Sequence, residues 1–119
     1  RLVNIHPSLL PLYPGLHTHE RAIGDGALIH GATVHLVTND LDHGPIVAQA
    51  AVAIRPDDDA ARLAARVLAL EHGLYVRALR WLVSGRASVR DGRVLIDGGR
   101  TLAGRLIVED ALRDGAAGG

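Results

Sequence analysis

The sequence predicts an α/β domain in which one long helix packs across a mixed sheet, and three observations predict it. Residues 31–38, "GATVHLVT", and 45–54, "PIVAQAAVAI", are apolar runs of strand length, the first rich in β-branched side chains. Residues 60–83 carry apolar side chains at 63, 67, 70, 74, 78 and 82, the three-and-four spacing of one helix face. A further short apolar run, residues 2–5, opens the chain. At 119 residues the chain makes one modest domain, able to bury about two thirds of the surface that its unfolded form exposes.

Taken in order, the strand at 2–5 stops at Pro7, which has no N–H for a ladder. Residues 7–15, with three prolines and a glycine, form an irregular loop. Thr18, Glu20 and Arg21 open a short helix that ends around Gly24, Asp25 and Gly26. The strands at 31–38 and 45–54 are joined by "NDLDHG", a connection short enough to make them antiparallel. Asp57, Asp58 and Asp59 are read as a solvated helix start beside the positive end of the 60–83 helix, and Gly85 as its stop. "ASVRDGRVLID" carries an Asp-Gly turn between two strand-like runs. Residues 98–119 show no pattern and read as a poorly ordered tail, so the ordered domain is expected over 1–97. No internal repeat is present.

Composition removes several classes of function. Thirteen arginines, with no lysine, balance thirteen acidic residues, which leaves no basic stripe for nucleic acid. Without cysteine there is no disulfide framework and no thiolate metal site, and no apolar run of about 18 residues marks a membrane span. A cytoplasmic protein without nucleic-acid or membrane partners is the default expectation. The chain has no methionine and opens in what reads as a buried strand, so it is expected to be a piece of a longer protein.

The chemistry concentrates in "VNIHPSLLPLYPGLHTH", residues 3–19. Side chains at i and i+2 of a strand project to one face, so Asn4 and His6 share a small volume. An amide N–H stabilises a developing oxyanion and an imidazole moves a proton near neutral pH, a pairing suited to acyl transfer. Asp42, in the turn "NDLDHGP", is the carboxylate expected to support the imidazole charge. A strand-end histidine that merely makes hydrogen bonds has the same spacing, and the pattern alone leaves both readings open.

"NIHPSLLPLYPGLHTHERAIGDG", "HGATVHLVTNDLDHGPIVAQA" and "ARVLALEHGLY" together resemble the phosphoribosylglycinamide formyltransferases over residues 1–96. "NIHPSLLP" with a later "LDxGP" is shared by 10-formyltetrahydrofolate enzymes in general. "YPGLHTH" and the "EH" of the long helix point to the glycinamide ribonucleotide branch. The resemblance implies the C-terminal part of a Rossmann-like formyltransferase fold, with Asn4, His6 and Asp42 catalytic and no metal. It places 10-formyltetrahydrofolate, the formyl donor, against Asn4, Thr38, Asn39, Asp40, Leu41 and Asp42. It places glycinamide ribonucleotide against Leu68, Ala69, Leu70 and Glu71, with Glu71 holding the amine. The family's Gly-rich phosphate loop would precede residue 1, so the missing N-terminal half of the same chain is an implied partner. His43 stands where many relatives have glycine and could alter the charge beside Asp42.

Other residues take plainer readings. His17, His19, His30 and His35 lie in two segments without a carboxylate at zinc-ligand spacing. Tyr75 and Trp81 are core or helix-contact residues, and Ser8 has no base arranged for nucleophilic attack. The alternatives to glycinamide ribonucleotide formylation are a formyltetrahydrofolate hydrolase, a methionyl-tRNA formyltransferase, or an inactive fragment that keeps only the folate-facing loop.

Overall fold

The computed structural model describes residues 3–109, so the expected start of the first strand at Leu2 and the tail from 110 to 119 lie outside the described residues. Strands β1 (Val3–His6), β2 (Ile29–Leu36) and β3 (Ile46–Ala53) share one sheet, with β1–β2 and β2–β3 antiparallel, the second pair as its short connection leads one to expect. Helix α1 (Thr18–Gly24) fills the link from β1 to β2, and α2 (Ala60–Val83) follows β3. The expected strand at 31–38 is displaced toward its N-terminus. Ile29 and His30 find partners in Ala53 and Val52, while Val37 and Thr38 leave the sheet for the loop that carries Asp42.

Register decides the chemistry of the two sheet faces. Val3 pairs with Leu36 and Ile5 with Val34, and these side chains lie against the core. That core joins Ala32, Val34 and Leu36 of β2 with Leu63, Val67, Leu74, Ala78 and Trp81 of α2. The intervening pairs, Asn4 with His35 and His6 with Thr33, therefore belong to the opposite face. One side of the sheet builds the core on α2, and the other carries Asn4, His6, Thr33 and His35. The α2 period sets this arrangement, since its buried positions 63, 67, 74, 78 and 81 form a single stripe. Asp59 caps the helix, its side chain accepting from Arg62 N–H at 2.8 Å. Tyr75 packs against the core edge, as its helix-contact reading expects.

Two expectations need correction. Asp58 is not solvated: its side chain is 4% exposed and meets Arg66 Nη1 at 2.5 Å. Arg66 also bonds both carboxylate oxygens of Glu109, at 2.9 and 3.0 Å, and the Ala53 carbonyl. The second correction is the partner that this network holds. The chain beyond residue 98, expected as a tail, contains β6 (Leu106–Val108), which pairs in parallel with β3 and completes the sheet order β1-β2-β3-β6. Three apolar residues are too few to show a period, and their strand conformation comes from the open β3 edge together with the Arg66–Glu109 clamp. The remaining strands, β4 (Ala87–Arg90) and β5 (Arg93–Ile96), form the expected hairpin. Its turn residues Asp91 and Gly92 have φ of 52° and 74°, the left-handed pair that a two-residue turn requires.

Candidate active site

The β1 strand ends at His6, and the chain is held over the polar face of the sheet by a hydrogen-bonded clamp. Buried Thr33 donates to the Ser8 carbonyl at 2.7 Å and accepts from Leu10 N–H at 3.1 Å. Gln49, opposite Thr33 on β3, donates to the Leu10 carbonyl at 3.1 Å and to Thr33 Oγ1 at 2.9 Å. Ser8 is itself part of the clamp, its hydroxyl donating to the Leu12 carbonyl at 2.6 Å, and not a nucleophile. Thr18, at the start of α1, bonds the Pro7 carbonyl. These bonds fix the loop from 7 to 17 so that the Tyr13 carbonyl and the Gly15 N–H both point back at the strand end.

Asp42 completes the cluster from the loop between β2 and β3. It is 8% exposed, with a left-handed φ of 57°. Its Oδ1 lies 3.5 Å from His6 Nδ1 and 4.0 Å from His35 Nε2, while Oδ2 accepts Gly15 N–H at 2.9 Å. The loop can return to β3 there because Gly44 has no side chain: a Cβ would stand 1.6 Å from the Leu36 carbonyl oxygen. His43 turns away, exposed, its Nδ1–H donating to the Leu41 carbonyl at 2.5 Å. Thr38, Asn39, Asp40 and Leu41 are exposed, with Thr38 Oγ1 donating to the Asp40 carbonyl at 3.1 Å.

Both ring nitrogens of His6 meet acceptors, because Nε2–H donates to the Tyr13 carbonyl at 2.9 Å and Nδ1 faces Asp42. A ring with protons on both nitrogens satisfies the two contacts together. To donate to a bound ligand, His6 must release one of them. Asn4 is exposed on the same face, and its amide makes no hydrogen bond among the described residues. His6 and Asp42 thus meet at the strand end, and Asn4 shares the sheet face of His6.

His35 was missed as a site residue. It stands opposite Asn4, is buried, and its Nδ1–H donates to the Leu36 carbonyl at 3.2 Å. Among the described residues its Nε2 has no hydrogen-bond partner, and it faces Asp42. The signal was available in "TVHL", where alternation sets His35 on the face opposite Val34, but only pairing with β1 shows which face that is. His30 and His19 form a separate pair, Nε2 to Nδ1 at 3.2 Å. Burial, reinforced by His19 and His6, lowers the His30 pKa to about 4, and burial also lowers that of His19. No group of three or more metal-ligating side chains forms among the described residues.

The expected ribonucleotide residues lie on α2. Leu68 and Ala69 are exposed on α2, Leu70 packs against the core, and Glu71 is half-buried. Burial raises the Glu71 pKa, and the carboxyl has no hydrogen-bond or ion-pair partner among the described residues. Among the described residues no hydrogen bond or ion pair links α2 to Asn4, His6 or Asp42.

A β-strand pair here carries an amide and two imidazoles, closed by a loop carboxylate, on a mixed α/β fold. The chain belongs to the formyl transferase family, whose model matches residues 1–79. It is 45% identical to the phosphoribosylglycinamide formyltransferase of Escherichia coli over 100 residues, 84% of this chain and 47% of that protein. It is 35% identical to the formyltetrahydrofolate deformylase of Bacillus subtilis over 81% of this chain and 32% of that protein. Among solved structures, phosphoribosylglycinamide formyltransferase from Anaplasma phagocytophilum superposes with a TM-score of 0.82 at 38% identity, covering 91% of this chain and 52% of that one. The chain spans about half the length of the formyltransferases that it matches.

Proposed function

We propose that this chain is the C-terminal half of a phosphoribosylglycinamide formyltransferase, which moves the formyl group of 10-formyltetrahydrofolate to the amine of glycinamide ribonucleotide. The observation that carries the reading is the approach of Asp42 to His6 at 3.5 Å, beside an Asn4 amide that is free to donate. The amine attacks the formyl carbon, forming the new C–N bond and placing negative charge on the formyl oxygen. Asn4 N–H and protonated His6, swung from the Tyr13 carbonyl, donate to that oxygen. Asp42 stabilises the imidazolium and takes part, through water, in carrying the proton shed by the amine to N10 as the C–N10 bond breaks.

On this reading Thr38, Asn39, Asp40 and Leu41, exposed beside Asp42, receive the folate ring. Leu68, Ala69, Leu70 and Glu71 face the ribonucleotide, and the unpartnered Glu71 carboxyl suits a cationic or hydrogen-bond-donating amine. The phosphate is held by the N-terminal half of the domain. Support for that division comes from the half-length match to the relatives and from β1, which forms one edge of the described sheet while carrying Asn4 on its exposed surface. The deformylase relatives keep hydrolysis as a second reading. An assay of the complete domain with 10-formyltetrahydrofolate separates the two: ribonucleotide-dependent turnover supports transfer, and formate release at the same rate without ribonucleotide refutes it.

A further inference from the structure

We propose that a cleft on the far side of the Asp42 loop binds a small anion bearing at least two phosphate or carboxylate charges. The cleft holds about 780 Å³ and is lined by His43 and Gly44 of that loop, the β5 residue Arg93, and Arg100, Thr101 and Arg105 ahead of β6. Asn4, His6 and Asp42 are absent from its walls, so it is distinct from the formyl-transfer site and does not rest on that assignment.

The argument is one of charge. Among the described residues the wall contains three arginines and a histidine and no carboxylate, in a chain whose acidic and basic residues balance. Arg105 is half-buried, and its guanidinium donates to the carbonyls of Val47, Ile46, Val94 and Thr101 at 2.9 to 3.3 Å without meeting an anion among the described residues. Those bonds use four of its five N–H groups and leave one on Nη2. Burial lowers its pKa, the mark of a cation short of compensating charge. The contrast within the same fold is Arg66, half-buried in the same way but met by two carboxylates, Asp58 and Glu109. Arg93 and Arg100 are exposed, and their guanidinium groups have no partner among the described residues, so both forks are free to grip an oxyanion in bidentate fashion. A recess lined by one sign of charge concentrates counter-ions of the other.

The test titrates the whole chain at low salt with inorganic pyrophosphate and, separately, with citrate, followed by amide NMR and calorimetry. Saturable binding of either anion is expected, with shifts at Gly44, Gly92 and Thr101. Pyrophosphate alone binding identifies a phosphate-bearing ligand, and citrate binding comparably identifies a carboxylate-bearing one. Arg93→Gln with Arg100→Gln, both at exposed positions, should weaken binding roughly tenfold or more, while Arg80→Gln on α2 should leave it unchanged. Absence of saturation by both anions, shifts confined to other regions, or equal affinity in the double variant each overturn the proposal.

Discussion

Replacing Asp42 by asparagine changes one atom of the site and inverts what that atom can do. The Asp42 Oδ2 position accepts Gly15 N–H at 2.9 Å, so the retained amide oxygen settles there and the loop keeps its anchor. The new NH2 then occupies the place of Oδ1, 3.5 Å from His6 Nδ1. A carboxylate at that distance favours a proton on Nδ1, whereas an amide donor favours the bare nitrogen. Two unit charges 3.5 Å apart attract by about 5 kcal/mol at an effective dielectric of 20, before desolvation is subtracted, and a charge-assisted hydrogen bond nets about 1.5 to 3 kcal/mol. A loss of about 2 to 3 kcal/mol from the transition state corresponds to roughly a hundredfold in turnover. The assay is formyl transfer by the complete domain, with folate affinity measured alongside. Equal turnover in both proteins would refute the role given to Asp42, while parallel loss of folding would show as a lowered melting temperature.

Arg66→Met should destabilise the fold by about 3 kcal/mol in denaturant titration, since it leaves Asp58 and Glu109 without their cation. Burial alone would raise Asp58, but hydrogen bonds from the Arg55 N–H and Arg66 hold it below its ordinary value, and the Arg66 hydrogen bond lowers Glu109. Their stabilisation is therefore present above the unfolded carboxylate range, about pH 4, and should fade as pH falls below it, with Arg66→Met flattening that acid limb. Gly44→Ala places a Cβ 1.6 Å from the Leu36 carbonyl oxygen and should displace the Asp42 loop, lowering turnover together with loss of the Leu36–Pro45 backbone bond in hydrogen exchange. Glu71→Ala should raise the KM for glycinamide ribonucleotide by roughly tenfold, the size of one charge-assisted contact, with little change for the folate. Equal shifts for both substrates would place Glu71 elsewhere.

Much of this protein was written in local pattern. The α2 helix was legible over its full length because 24 residues of period 3.6, capped by Asp59 and stopped near Gly85, leave no competing conformation. The β4–β5 hairpin was legible because Asp91-Gly92 admits one kind of turn. Asn4 and His6 were legible as a pair because alternation along one strand is a property of the backbone itself. What the sequence could not supply was anything set by long-range pairing. The short β6 strand exists because β3 offers an edge and Arg66 reaches 43 positions along the chain to Glu109. Asp58 looks like one of three solvated acids until the same arginine turns toward it. His35 joins the site through the register that sets it against Asn4, and Asp42 is oriented by an N–H from Gly15, 27 positions earlier. Residue type and spacing fixed which groups were available, because those depend on bonds between neighbours. Which groups meet, and at what distance, depended on how the sheet closed, because a one-residue change in register exchanges the core face for the polar one.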